Sequence, residues 1–146
     1  MNILKITVTC LLLFASLLSA KEYEVKMLTA DSHGNTMIFE PAFIKIAQGD
    51  TINFVPSDPS HNAQSFSTST DKLTFSTTMG QPVSVTFSEE GLVLYKCLPH
   101  FALGMVGVVQ VGDFNDKTKA IADWTAAQAG VVMNKERMAN YLDNIK

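Results

Sequence analysis

Nine consecutive residues, Cys97-Leu98-Pro99-His100-Phe101-Ala102-Leu103-Gly104-Met105, carry a thiol, an imidazole and a thioether on one short loop. Cysteine to histidine spans three positions and histidine to methionine five, so a single turn between two strands can aim all three side chains at one point. Pro99 and Gly104 suit such a turn, the first by fixing its own φ and the second by tolerating backbone that other residues avoid. The requirement constrains the whole fold: two strands must meet at this loop, and a fourth donor must be delivered from elsewhere. His61, thirty-six residues before Cys97, is the best candidate. His33 lies in a Ser-His-Gly-Asn turn with no matching partner and reads as a surface residue.

Each of these residues also has an ordinary use. Methionines fill gaps in cores, a lone histidine is more often a loop or surface residue, and a cysteine after an apolar strand is usually a buried thiol. Their spacing together is what argues against coincidence.

The chain opens in the form of an export signal, with a charged Met1 to Lys5, an apolar Ile6 to Leu18 and the small pair Ser19-Ala20. The apolar run is shorter than the roughly 20 residues of a membrane span. Cleavage after Ala20 is expected, removing Cys10 with the signal and leaving Cys97 alone in a mature chain of 126 residues, Lys21 to Lys146. Exported chains ordinarily pair their cysteines. Cys97 has no partner, and an isolated thiol in an oxidising compartment calls for a metal or a catalytic role. A c-type haem is excluded, because its attachment takes two cysteines just before a histidine. The mature chain keeps ten of the eleven Lys and Arg and all fourteen Asp and Glu, a formal charge of −4. With no basic stripe to neutralise phosphates, nucleic acid is not the expected partner.

The dominant period is two, in short runs punctuated by Gly, Pro, Asn, Asp and Ser. Strands are predicted at Tyr23 to Met27, Met37 to Phe39, Phe43 to Ala47, Thr51 to Val55, Val83 to Phe87, Gly91 to Lys96 and Gly107 to Val111. The polar segment from Ser57 to Gly80 predicts loops and one short edge strand. This is the pattern of a single β-sandwich or barrel domain over about 21–112. Over 116–146 the composition turns helical: Ala120, Ile121, Trp124 and Ala127 form one stripe, ending near Gly130. A second helix is predicted after Asn134, read as its N-cap, with Met138, Tyr141, Leu142 and Ile145 inward.

Two imidazoles and a thiolate with a weak axial thioether form the ligand set of a blue-copper electron-transfer centre. Thiolate donates charge to Cu(II), thioether favours Cu(I), and imidazole suits both, so little must rearrange when an electron arrives. Zinc is the competing metal, but structural zinc rarely takes methionine and catalytic zinc keeps a water in its fourth position. Asn62, beside His61, can hydrogen-bond across to the Cys97 loop; the same residue is equally at home as a turn asparagine.

Glu24-Val25 followed by Met27-Leu28, then Met37-Ile38-Phe39-Glu40-Pro41, Gly49-Asp50-Thr51, His61-Asn62, Lys96-Cys97 with Pro99-His100, and Gly104 through Asp113 together make the chain similar to the pseudoazurin family of small blue-copper cupredoxins. The likeness covers nearly the whole mature chain, including the two-helix tail that sets this family apart from plastocyanin and amicyanin. It implies an eight-stranded Greek-key sandwich and one type 1 copper held by His61, Cys97, His100 and Met105. It also implies a monomeric electron carrier in the periplasm, serving redox partners such as a copper nitrite reductase or a cytochrome of the c or cd1 type. Met37 is expected near His100 and Phe101 beside it; Pro99, Phe101, Ala102 and Leu103 would form an apolar collar through which partners dock transiently.

The resemblance has gaps. Pseudoazurins often ring this collar with lysines, whereas here Pro59 and the run Thr29-Ala30-Asp31-Ser32 occupy positions where positive charge is expected, and Ala102-Leu103 replaces a common Gly-Met pair. Lys96 remains. Two other classes of function compete: copper storage or delivery, which would favour clustered Met and His that the chain lacks, and a cysteine-nucleophile enzyme. In the latter a convergent methionine has no task, and no residue to orient the base is evident.

Overall fold

The computed structural model describes residues 19–146. The export signal expected over Met1 to Ala20, Cys10 included, lies outside the described residues apart from Ser19 and Ala20. Eight strands follow: β1 Glu22–Ala30, β2 Thr36–Glu40, β3 Phe43–Ile46, β4 Thr51–Pro56, β5 Gln64–Thr68, β6 Val83–Thr86, β7 Gly91–Lys96 and β8 Val106–Val111. They form two four-stranded sheets in the orders β2-β1-β4-β6 and β3-β8-β7-β5. The predicted short strand of the polar segment is β5, at the edge of the second sheet, with a register shift between Ser65 and Ser67.

Alternation along β7 and β8 explains where the chemistry sits. Successive side chains point to opposite faces of a sheet, so Val93, Tyr95 and Cys97 enter the core between the sheets while Leu92 and Leu94 enter a second core beneath the tail. Across the ladder Val109, Val111 and Met105 join the first core, and Val106 and Val108 join the second. β8 is buried at all six positions. That is why it reads as an almost continuous apolar run, covered on both faces like a strand of a parallel sheet; the one polar side chain in it, Gln110, donates its amide N–H to the Phe114 and Lys146 carbonyls at 2.9 and 3.0 Å.

The cover is α1 Thr118–Ala127 and α2 Arg137–Leu142. Ala120 and Trp124 bury the inner stripe of α1, but Ile121 stays 49% exposed, because the stripe that meets the sheet is narrower than the apolar positions suggested. Asn134 also departs from expectation. α2 begins three residues later, behind Glu136 and without a side-chain cap. Asn134 instead takes a left-handed φ of 52° and donates its side-chain N–H to the Leu103 carbonyl at 2.9 Å. Arg137 reaches back the same way, its Nη1 donating to the Met37 and Gly104 carbonyls at 2.8 and 3.2 Å. The tail therefore braces the loop between β7 and β8. Met138, Leu142 and Ile145 are buried as the spacing predicts, and Tyr141 packs partly buried against them.

Candidate metal centre

The loop closes because the ladder carries it to its mouth. Lys96 pairs with Val106 in the last register step, and one residue further the Cys97 N–H donates to the Met105 carbonyl at 3.0 Å. Inside, the Met105 N–H donates to the His100 carbonyl at 3.3 Å, and Phe101 to Leu103 form one 3-10 turn ending at Gly104 with φ 76°. Gly104 is required twice over, since a Cβ there would also stand 2.6 Å from the Met133 carbonyl oxygen.

His61 arrives from the connection between β4 and β5. Its carbonyl accepts the Gly80 N–H at 2.8 Å, while Ala63 donates its N–H to Thr77 Oγ1 at 2.8 Å, pinning the segment on both sides. Asn62 Oδ1 accepts the Leu98 N–H at 2.8 Å and so ties this segment to the Cys97 loop. Among the described residues, His61, Cys97 and His100 form the one cluster spaced to share a metal ion, their donor atoms all within 4.8 Å of one another. Cys97 Sγ lies 3.5 Å from His100 Nδ1 and 3.9 Å from His61 Nδ1, and the two Nδ1 atoms are 3.2 Å apart. A triangle with those sides has its centre about 2.1 Å from each corner, within the roughly 2.0–2.3 Å of nitrogen and sulfur bonds to a first-row metal ion. Met105 stands on the opposite leg of the loop, fully buried in the same core as Cys97. The residues present fit a copper ion by spacing and by donor chemistry.

Burial acts in opposite senses on the two buried ligands. Burial pushes the His61 imidazole below its ordinary range, against the opposing pull of Asp58, so its neutral, metal-binding form prevails. Burial pushes the Cys97 thiol up, while the backbone N–H groups of Asn62 and His100 favour the thiolate. Cys97 would hold a metal ion as the thiolate, its sulfur already supplied with those hydrogen-bond donors.

His61 turns its other nitrogen toward two residues that sequence reasoning missed as partners. Nε2 lies 3.0 Å from Thr29 Oγ1 and 3.2 Å from Asp58 Oδ2. In the sequence Thr29 marks only a place where charge is absent, and no local pattern marks Asp58. The two meet because β1 pairs in parallel with β4, Met27 opposite Pro56, which sets the end of one strand beside the turn after the other.

The other expected site residues spread outward. His100 is half-buried, with Leu98, Pro99 and Ala102 exposed around it. Phe101 points its ring to the tail, against Phe66 and Trp124, with the Lys96 ammonium 4.5 Å from its centre. Met37, at φ 50°, packs against the core that holds Cys97 and Met105. His33 is exposed in its turn.

Comparison with known proteins agrees with this geometry. Residues 25–112 match the family of copper binding proteins described as plastocyanin/azurin. The chain is 44% identical to the pseudoazurin of Paracoccus pantotrophus over 96 residues, 64% of this chain and 66% of that protein. It is 39% identical to the pseudoazurin of Methylorubrum extorquens over 104 residues, 70% of each. The crystal structure of pseudoazurin from Methylobacterium extorquens AM1 superposes with a TM-score of 0.68 at 35% identity, over 86% of this chain and 99% of that one.

Proposed function

The chain belongs to the plastocyanin/azurin family of copper-binding proteins and, within it, to the pseudoazurins, which are electron-carrying cupredoxins and not enzymes; on that premise we propose that it is a periplasmic one-electron carrier whose single type 1 copper is held by His61, Cys97, His100 and Met105. The observation that carries this reading is the convergence of His61, Cys97 and His100 with Met105 on the facing leg of the same loop. Bound copper supplies a Cu(II)/Cu(I) couple of one electron. The chain's own part is to hold two imidazoles, a thiolate and a thioether in one arrangement acceptable to both oxidation states. Fully buried His61, Cys97 and Met105 exclude water from three sides, and half-buried His100 leaves one edge toward the surface.

Loading purified apo-protein with Cu(II) tests the assignment. One copper per chain should give an intense blue colour that ascorbate bleaches and ferricyanide restores. A tight but colourless complex would sink the electron-carrier reading. Residues 1–20 are a cleaved export signal in this proposal, and 21–146 a single cupredoxin domain; the periplasmic protein should have Lys21 at its N-terminus by mass spectrometry. No helix of the described residues is long and apolar enough to cross a membrane.

Partners dock, in this reading, on the apolar surface around His100. Leu98, Val132 and Met133 are 54%, 68% and 52% exposed, and the backbone N–H groups of Val132 and Met133 both donate to the Ala102 carbonyl, which brings the helix linker to the rim of the ligand loop. The ligand loop from Leu98 to Met105 carries no Lys, Arg, Asp or Glu, and exposed Lys135 and Glu136 on the linker offset one another. Lys96 lies over the Phe101 ring and Pro59 stands before Ser60. Redox proteins such as a copper nitrite reductase, or a cytochrome of the c or cd1 type, are then engaged mainly through apolar contact. Between 10 and 300 mM salt the second-order rate of electron transfer to such a nitrite reductase should change by less than about threefold, because little steering exists to be screened. A steep fall in stopped-flow measurements would count against it.

A further inference from the structure

We propose that Asp58 is a positioning residue of the metal centre: through Nε2 it fixes the orientation and tautomer of His61, and its charge biases the centre toward Cu(II). The inference rests on His61 being a ligand and adds a group that contacts no metal. Four donors hold the carboxylate. Oδ1 accepts the Ser60 N–H at 2.9 Å and the Ser60 hydroxyl, and Oδ2 accepts the hydroxyls of Thr29 at 2.5 Å and Ser57 at 3.2 Å. Because the Thr29 hydroxyl proton is committed to Asp58, Thr29 Oγ1 is left with lone pairs only toward His61, 3.0 Å away. Asp58 Oδ2, 3.2 Å from the same nitrogen, is likewise an acceptor. With two acceptors facing it, Nε2 must carry the ring proton. Nδ1 is thereby the unprotonated nitrogen, and it is the one that faces Cys97 and His100.

A carboxylate behind a ligating imidazole makes that imidazole a stronger donor. A negative charge one ring away from the metal also stabilises the higher oxidation state more than the lower. The Asp58 side chain is 35% exposed, so water screens part of this, but His61 itself is fully buried, with Nε2 3.2 Å from Asp58 Oδ2 and Thr29 Oγ1 in hydrogen-bond reach of both. A merely structural role is the rival: Asp58 also closes the turn from Ser57 to Ser60, and it could do nothing else. The two differ in what a charge-only change does. Asp58→Asn keeps an acceptor for the turn and removes the charge; Thr29→Val removes the hydroxyl and leaves the carboxylate.

In the copper-loaded protein, Asp58→Asn should lower the ratio of Cu(II) to Cu(I) affinity about tenfold, a rise of about 59 mV in reduction potential for one electron. Thr29→Val should shift it in the same direction by less. In the apo-protein, nitrogen chemical shifts should place the His61 proton on Nε2 in the wild type, with a mixture of tautomers in Asp58→Asn. Unchanged potentials in both variants, or a proton on Nδ1 in the wild type, would overturn the proposal; if Asp58→Asn does not fold, Thr29→Val and the wild-type tautomer decide it. Failure of the ligand assignment looks different, since the wild type itself would then give no blue copper.

Discussion

A Cys97→Ser variant loaded with Cu(II) should show none of the intense blue absorption, and its affinity for Cu(I) should fall by more than about a hundredfold, beyond the 10–100-fold typical of losing an outer-shell partner. The colour comes from charge moving from thiolate sulfur to Cu(II), and an alcohol oxygen neither deprotonates near neutral pH nor offers that soft donor. His61 and His100 remain, their Nδ1 atoms 3.2 Å apart, so some Cu(II) should still bind, but as an ordinary pale complex. Cu(I) loses more, because the thiolate is the stronger of the two sulfur donors proposed to hold it. The fold should survive. A buried hydroxyl without a partner costs about 1–3 kcal/mol, yet the Asn62 and His100 N–H groups that favour the thiolate already face this position and can meet an oxygen instead. Absorption and Cu(I) competition titrations check the first claim, and denaturation of the apo-protein checks the second. A blue Cys97→Ser complex would remove Cys97 from the ligand set.

What could be read in the sequence follows from how local each feature is. The run from Cys97 to Met105 is legible because its three donors share one loop, and their burial follows from the two-residue alternation that sends Tyr95, Cys97 and Met105 to the same face. β1, β4, β7 and β8 announce themselves by apolar patterning. The Thr29, Asp58 and His61 arrangement does not. It depends on a parallel pairing between strands separated by β2 and β3, which no window along the chain contains. Asn134 fails for a related reason. Its residue type fits an N-cap, but the Leu103 carbonyl offers its side chain a partner across thirty-one positions, and that tertiary contact displaces the start of α2 to Arg137. Ile121 has the right spacing on α1 but lies outside its buried stripe of Ala120 and Trp124, where Trp124 meets Phe66 of β5 and Phe101 of the ligand loop.

The site's rigidity and the fold's stability share one group of aromatic rings, and Phe54→Ala should expose that link. Phe54 is fully buried on β4, stacked on Phe75 with centroids 5.2 Å apart and meeting Tyr95 edge-on at 5.5 Å. Phe75 in turn meets Phe87, and Tyr95 meets Phe39, so the rings span the space between the two sheets. Deleting a buried phenylalanine side chain costs about 3–5 kcal/mol, a large share of the 5–15 kcal/mol that ordinarily separates folded from unfolded protein. The apo-protein should therefore melt about 10–20 °C lower. The walls are poorly able to collapse into the void, because Phe39 and Tyr95 are already in edge contact and a Cβ at Gly107 would meet the Tyr95 ring within 2.4 Å, leaving that ring no slack on its far side. Copper should return part of the loss. A ligand held only by the native state, at about a hundredfold over its dissociation constant, adds about 2.7 kcal/mol. Tyr95 lies two residues before Cys97 on the same face, so a cavity beside it loosens the strand end that aims the thiolate. The loaded variant should accordingly stay blue but show a broader band than the wild type. A loss below about 1 kcal/mol in calorimetry of the apo-protein would mean that the rings repack, which the close-packed geometry around Tyr95 argues they cannot do.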